Sequence, residues 1–269
     1  MRLVGNDSLM GFSERFQGAN RIDAGRLSPY WGEHAARYHF ALERVAGKKV
    51  LDIACGTGYG IGLLRKSARF VCGVDIDREA ALQARSECGD RSAVVLGDGL
   101  RLPFHDKCFD VVTSFETIEH LHDRLGFLRE LERVLAPGGV LLISTPNARY
   151  TKPKAGKPLN PFHVYEYTPD EFREQLSRVF LIEEHLGQSL EIGNRISPFF
   201  IDQQRLPRKP SVQIRLFFWR VMNKFPLGLR ERLSEAIWNR PFYPTEADYL
   251  FSSERLAEAP VQLAVCRKK

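Results

Sequence analysis

The chain has no run of eighteen or more apolar residues, which is the length a bilayer-spanning helix needs, and polar and charged side chains interrupt Met1 to Asn20 where an export signal would carry its apolar core. Neither a membrane-spanning nor a signal-exported protein is expected. Cysteine is sparse: the five residues Cys55, Cys72, Cys88, Cys108 and Cys266 are odd in number, scattered, and nowhere in a CxxC spacing. That excludes a disulfide framework and a cysteine-based zinc site, and it fits a reducing cytoplasm. Internal repeats and low-complexity tracts are also missing, which excludes a solenoid or a linker-dominated chain.

What is present suits one sizeable α/β domain: 269 residues, 43% of them hydrophobic. The net charge of +6 is unevenly placed. From Asn194 to Arg240 there are ten Lys and Arg against three acids, so this one segment carries the basicity and the rest of the chain is close to neutral.

Apolar strand-like runs alternate with helix-periodic stretches, which predicts a doubly wound, mostly parallel sheet of seven strands with helices on both faces. The strands fall near Lys49–Ala54, Phe70–Asp75, Ser92–Leu96, Phe109–Phe115, Val140–Thr145, Phe180–Leu186 and Val261–Arg267. Helices are expected at Glu33–Val45, Tyr59–Lys66, Arg78–Glu87, Asp123–Leu135 and Pro169–Arg178. The last of these has Thr168 to cap it, Pro169 for its first position and Glu171 to complete a capping box. Residues 1–32 read as an N-terminal arm, and 33–269 as the domain, with a basic insertion at about 194–250 between the sixth and seventh strands.

The most informative stretch is VLDIACGTGYG, Val50 to Gly60, a buried strand ending in a glycine-rich turn that feeds a helix. Gly56 and Gly58 let the backbone turn sharply and let a ligand lie against it. A dinucleotide site wants GxGxxG, but the third position is Ile61 counted from Gly56 and Leu63 counted from Gly58, so a dehydrogenase is disfavoured. Asp52 just before the turn would repel a pyrophosphate but attract the ammonium of an amino-acid moiety, directly or through water. Asp75, ending the second strand, can accept from both ribose hydroxyls. Asp98, after the third strand, can accept from an adenine amino group while Ile76 and Leu100 cover the base.

With these motifs in order, and with GVDI, GDGLRLPF, FDVVTSFETIEHL, RVLAPGGVLLISTPN and HVYEYTPDEF following, the chain resembles a class I S-adenosylmethionine-dependent methyltransferase over roughly Glu33 to Arg178. The resemblance implies S-adenosyl-L-methionine as cofactor. Asp52, Gly56 and Gly58 would line its methionine end, Asp75 the ribose, and Asp98 with Leu100 the adenine, while Phe115 and Glu116 would close the pocket. Arg37 and Tyr38 in the leading helix would either contact the cofactor carboxylate or pack that helix on the sheet.

Methyl transfer from a sulfonium requires in-line alignment and exclusion of water, and a hydroxyl acceptor also needs a proton acceptor near neutral pKa. His120 in ETIEH, with Glu119 or another acid to orient it, is the first candidate, and His163 in NPFH is the second. The alternative for His120 is a loop-shaping or capping role. Glu116, Glu119, His120 and His163 also resemble the metal site of small-RNA terminal 2′-O-methyltransferases, although ETIEHL occurs in metal-free relatives too, and the expectation here is no metal.

Ile214, Phe217, Phe218, Val221, Met222 and Phe225 recur at helical spacing within the insertion, giving one amphipathic helix over about 212–225. Such a stripe ordinarily faces a core; the alternatives are RNA or a peripheral contact with the inner face of the membrane. No RNA-binding motif accompanies the charge, so nucleic acid is not the expected partner. The stretches STPNARY and NPFHVYEYTPDEF resemble methyltransferases of glycan and polysaccharide assembly, and EHL resembles quinone O-methyltransferases. The expected reaction is O-methylation of a small-molecule or glycan acceptor. The alternatives are a metal-assisted RNA 2′-O-methyltransferase and a non-catalytic cofactor- or partner-binding protein.

Overall fold

The apolar runs form strands whose two faces are both covered, as continuous rather than alternating hydrophobicity requires. The computed structural model describes residues 28–153, 156–191 and 195–269. Helix α1 (Trp31–Ala41) leads into β1 (Lys49–Ile53), α2 (Tyr59–Leu64), β2 (Phe70–Asp75), α3 (Arg78–Ser86), β3 (Ser92–Leu96), β4 (Phe109–Phe115), α4 (Arg124–Val134) and β5 (Leu135–Pro146). The short α5 (Ala148–Thr151), α6 (Pro169–Ser177) and β6 (Phe180–Leu190) follow. Then come α7 (Phe200–Gln204), α8 (Pro210–Met222), α9 (Leu227–Trp238), β7 (Tyr249–Ser252) and β8 (Val261–Lys268).

The strand order is β3-β2-β1-β4-β5-β8-β6-β7. The first five strands run parallel, and β8 is antiparallel to both β5 and β6. The doubly wound mixed sheet is therefore as expected, but among the described residues it has eight strands, not seven. The extra strand, β7, is only four residues long and lies at the sheet edge within the insertion, too short for an alternating pattern to show. Strand β5 also starts five residues earlier than expected, because Leu135 pairs with Phe109 before the register shifts.

The chain divides into two compact units, one comprising Tyr38–Ser189 and Phe251–Lys269, the other, among the described residues, 28–37 and 190–250. The expected arm 1–32 lies outside the described residues up to position 27, and the start of the insertion at Asn194 lies outside them too. In the first unit, Leu51, Ile53, Val74, Val112 and Ile143 of the sheet pack with Phe127, Leu128 and Leu131 of α4 and with Phe172 and Leu176 of α6. Each such side chain contributes about 1.5–3 kcal/mol. Helix α6 starts as its sequence dictates: the Thr168 hydroxyl accepts from Glu171 N–H and the Glu171 carboxylate accepts from Thr168 N–H, with Pro169 at the first position.

In the second unit, Met222, Phe242 and Tyr243 are buried together with Trp219 and Leu233 against them. Helix α8 departs from the expectation that its stripe faces a core: Ile214, Phe217, Phe218 and Val221 are exposed, while Leu216 and Met222 are buried. The helix also ends at Met222, leaving the exposed Phe225 beyond it.

Gly60 in α2 shows how tightly the first unit is packed. A Cβ there would lie 2.2 Å from Tyr38 Cζ. The Tyr38 ring is itself held edge-on by Tyr59 and Phe115, with centroids 5.3 and 5.0 Å away. Gly60→Ala is expected to lower stability by about 1–3 kcal/mol through overpacking. Gly62→Ala in the same helix, where a Cβ meets nothing within 4 Å, should be neutral or stabilising by up to about 1 kcal/mol. Denaturant unfolding of the two variants checks the contrast.

Candidate functional site

The carboxyl ends of β1, β2 and β3 bring three acids to one edge of the sheet. Asp52 is fully buried, and its carboxylate accepts from Thr113 Oγ1 at 2.7 Å and from the Tyr38 hydroxyl at 3.2 Å. Burial pushes its pKa up to about 7, assisted by the charge of Asp75 and opposed by the two hydroxyl donors. The β1–α2 turn then places Ala54, Gly56 and Gly58 at φ of 55°, 56° and 89°. Ala54, as a non-glycine residue in this region, stores of order 1 kcal/mol or more of strain. A Cβ on Gly56 would meet nothing within 4 Å, so the turn is open above it, whereas one on Gly58 would lie 2.9 Å from Ala84 Cβ of α3.

Asp75 is nearly buried, and both its oxygens are fixed by backbone: Oδ2 accepts from Gly56 N–H at 2.7 Å and Oδ1 from Asp77 N–H at 2.8 Å. A carboxylate has lone pairs left after two such bonds, so Asp75 is pre-oriented to accept from further hydroxyls. Asp98 Oδ1 accepts from Leu100 N–H at 2.9 Å, which shapes the turn after β3. Ile76 is 49% and Leu100 36% exposed, so these strand ends offer apolar side chains that the fold itself does not cover. Phe115 is buried at the end of β4, and Glu116 follows with φ of 54° and its Oε1 accepting from Ser144 Oγ at 2.6 Å. Arg37 lies in the second unit, fully buried, with its guanidinium 3.7 Å from Glu33.

The same end of β4 carries the acceptor-side candidates. Glu119 is fully buried, and its Oε2 accepts from Thr145 Oγ1 at 2.9 Å. Burial, reinforced by the charge of Glu116, holds its pKa well above the ordinary carboxylate range, with His163 and Thr145 opposing. His120 Nδ1 contacts the Phe162 carbonyl at 3.0 Å, which assigns the proton to Nδ1 and makes Nε2 the acceptor nitrogen. Glu119 Oε1 is 3.9 Å from that Nε2, beyond hydrogen-bond reach. The His163 ring stands edge-on to His120 with centroids 4.9 Å apart. Its Nδ1 meets the buried Glu166 at 2.7 Å and its Nε2 the Asn160 amide at 2.9 Å.

The structure thus brings His120, Glu119 and His163 into one cluster. Their ligand atoms lie within 4.8 Å of one another, and they form the one group among the described residues with the composition and spacing to hold a metal ion. Tyr38 and Thr113 as partners of Asp52, Ser144 and Thr145 as partners of the two glutamates, and Asn160 and Glu166 as partners of His163 were not evident beforehand. Only the last pair had a local signal, standing three residues to either side of His163. A separate cavity of about 420 Å³, lined by Arg44, Lys48, Asp110, Gly138, Glu183 and Arg267, lies at the other end of the strands. Its rim charges already pair as Arg44–Glu184 and Arg267–Glu183, so it does not compete as the site.

Residues 51–143 match the model of the methyltransferase domain family. Over 160 residues the chain is 41% identical to a protein of Mycolicibacterium smegmatis named "Probable S-adenosylmethionine-dependent methyltransferase", covering 59% of this chain and 62% of that one. Over 108 residues it is 40% identical to a demethylmenaquinone methyltransferase of Corynebacterium glutamicum, covering 39% and 46%. The chain thus spans less than two thirds of the length of these relatives. Among solved structures, an S-adenosylmethionine-dependent methyltransferase of Mesorhizobium loti superposes with a TM-score of 0.53 at 17% identity, covering 90% of this chain and 98% of that one. The cyclase SpnF superposes with a TM-score of 0.56 at 19% identity, covering 88% and 83%, so the fold by itself does not fix the reaction. The α/β unit thus has the fold of S-adenosylmethionine-dependent methyltransferases, and residues 51–143 match the methyltransferase domain.

Two outcomes are expected. Gly58→Asp should abolish cofactor binding in calorimetric titration, because the side chain combines a backbone conformation that disfavours it, a clash with Ala84 and added negative charge. Affinity for S-adenosylmethionine should rise as pH increases towards about 7 and level off above it. A cation binds the ionised form of Asp52, whose pKa of about 7 then falls, so binding below that pH releases a proton. Titrations in buffers of different ionisation heat detect the release, and Asp52→Asn should remove it; a pH-independent affinity would contradict the assignment.

Proposed function

We propose that the chain transfers the methyl group of S-adenosylmethionine to a hydroxyl of a small metabolite or glycan. The observation that carries this reading is His120, held by the Phe162 carbonyl with Nε2 as acceptor nitrogen five residues beyond Phe115. A relative from Amycolatopsis mediterranei, 30% identical over 131 residues, is named 27-O-demethylrifamycin SV methyltransferase, which supports an oxygen acceptor.

The cleft residues fit the cofactor. Gly56 leaves open space, Asp75 is oriented by two backbone donors, and Ile76 and Leu100 present exposed apolar side chains. When bound, S-adenosylmethionine supplies a methyl on a sulfonium, open to in-line displacement. Asp52 and Asp75 hold the amino-acid and ribose parts, and Asp98 with Leu100 and Ile76 the base. His120 takes the acceptor's hydroxyl proton at Nε2 as the oxygen attacks. The edge-on His163, oriented by Glu166, limits how the His120 ring can turn.

A second reading is a divalent cation held by Glu119, His120 and His163. It is favoured by Glu119 Oε1, which is buried and has no hydrogen-bond donor among the described residues. His120 also points Nδ1 at an oxygen acceptor, the arrangement that orients an imidazole ligand, whereas His163 would have to release the Asn160 amide from its Nε2. Such an ion would acidify a bound hydroxyl.

His120→Ala is expected to keep cofactor affinity and to lose about 10²–10⁴-fold in kcat with a hydroxyl acceptor. Wild-type turnover in this variant would sink the base assignment. Turnover indifferent to a chelator supports the base; turnover lost with the chelator and restored by magnesium or manganese supports the cation.

A further inference from the structure

Helix α8 is apolar on two sides. Its inner side is set by Leu216 and Met222, with Trp219 stacked on Phe242 at 5.4 Å. At 100° per residue, Ile214, Phe217, Phe218 and Val221 fall in a sector about 100° wide on the opposite side. Three of them are more than half exposed, at 56%, 64% and 57%, and Phe225 just past the helix end is 40% exposed. Arg220 and Lys224 border this sector on one side and Arg215 lies beyond its other edge; none falls inside it. Helix α9 adds exposed Leu229, Ile237 and Trp238. Phe218 and Trp238 line one cleft of about 360 Å³ together with Arg195, Arg215 and Arg240.

The segment stays net positive once its acids are counted, with ten Lys and Arg against Asp202, Glu231 and Glu235. Glu231 is buried and accepts from Phe242 N–H, and Asp202 accepts from the Ser197 hydroxyl. Within the cleft, Arg195 is already paired with Asp248 at 2.8 Å, while burial, Arg195 and Arg215 hold the Arg240 guanidinium below its ordinary pKa with Asp248 opposing, so an anion beside Arg215 and Arg240 would be favoured.

We propose that the exposed side of α8, with Phe225 and the arginine-lined cleft, docks on an anionic lipid bilayer. The unbroken apolar sector enters the headgroup–acyl boundary, the flanking cations meet lipid phosphates, and the cleft takes a phosphate headgroup. A membrane fits better than RNA because the sector contains aliphatic as well as aromatic side chains and excludes cations. A stacking platform for bases would interleave them. The proposal is independent of the methyl acceptor. No helix among the described residues is long and apolar enough to cross a membrane, so the contact is peripheral.

The test is flotation of the full chain with vesicles of phosphatidylcholine alone and with added phosphatidylglycerol, at low and high salt. Binding is expected only with phosphatidylglycerol, reduced by salt, with a blue shift in tryptophan emission as Trp238 enters the interface. The F217S/F218S variant should lose partitioning by roughly tenfold or more, and the R220E/K224E variant by about fivefold per charge removed. Retained S-adenosylmethionine affinity in both variants shows that they fold. Equal binding to neutral vesicles, no binding to either, or unchanged binding by both variants would overturn the proposal. So would a wild-type dimer that the F217S/F218S variant breaks, or RNA binding without vesicle binding, which would give the surface to a second copy or to a nucleic acid.

Discussion

The site depends on one buried carboxylate. Asp52 is the penultimate residue of β1 and has no exposure to solvent, and the Tyr38 hydroxyl from α1 and Thr113 from β4 meet it there. A buried acid without donors would destabilise the fold by several kcal/mol, so these two hydroxyls tie three elements to one point. The same arrangement sets the cleft. Tyr38 in turn packs on Tyr59 and Phe115 and forbids any side chain at Gly60, which fixes how α2 leaves the glycine turn.

Strand ends repeat this pattern. Ser144 donates to Glu116 and its neighbour Thr145 donates to Glu119. Successive strand residues point to opposite faces, so two adjacent hydroxyls on β5 serve two different acids. Glu116 reaches its position through a left-handed backbone that non-glycine residues adopt reluctantly, and Ala54 does the same after β1. Two of the six described non-glycine residues with positive φ thus sit at the strand ends that flank the cleft.

The described unit containing 190–250 is built differently. Its core is small, and a buried Arg230 donates to Asn223 and Tyr243 while stacking near Phe242 and Tyr243 at about 5 Å. With so few inward positions, α8 has more apolar side chains than the unit can cover, and the surplus is exposed. Periodicity cannot reveal this. A stripe at helical spacing marks a side of the helix but does not say whether that side meets protein or solvent, and here the predicted stripe is exposed except at Met222.

The strand-and-helix alternation, the capping box at Thr168, the glycine turn and the acids at three strand ends were all readable from the sequence, because each is a local pattern with its own physical cause. Five strands agree within a residue at both ends for the same reason. What joins residues far apart in the chain was not readable: Tyr38 and Thr113 meeting on Asp52, the Phe162 carbonyl rather than an acid holding His120, Glu166 behind His163, and the edge strand β7. Sequence by itself determined the elements and the glycine turn with its acids at the strand ends, since backbone propensity and turn chemistry act over a few residues. Tertiary structure decided which donors satisfy the buried acids and which apolar side remains uncovered, since burial and hydrogen-bond pairing are properties of the packed chain.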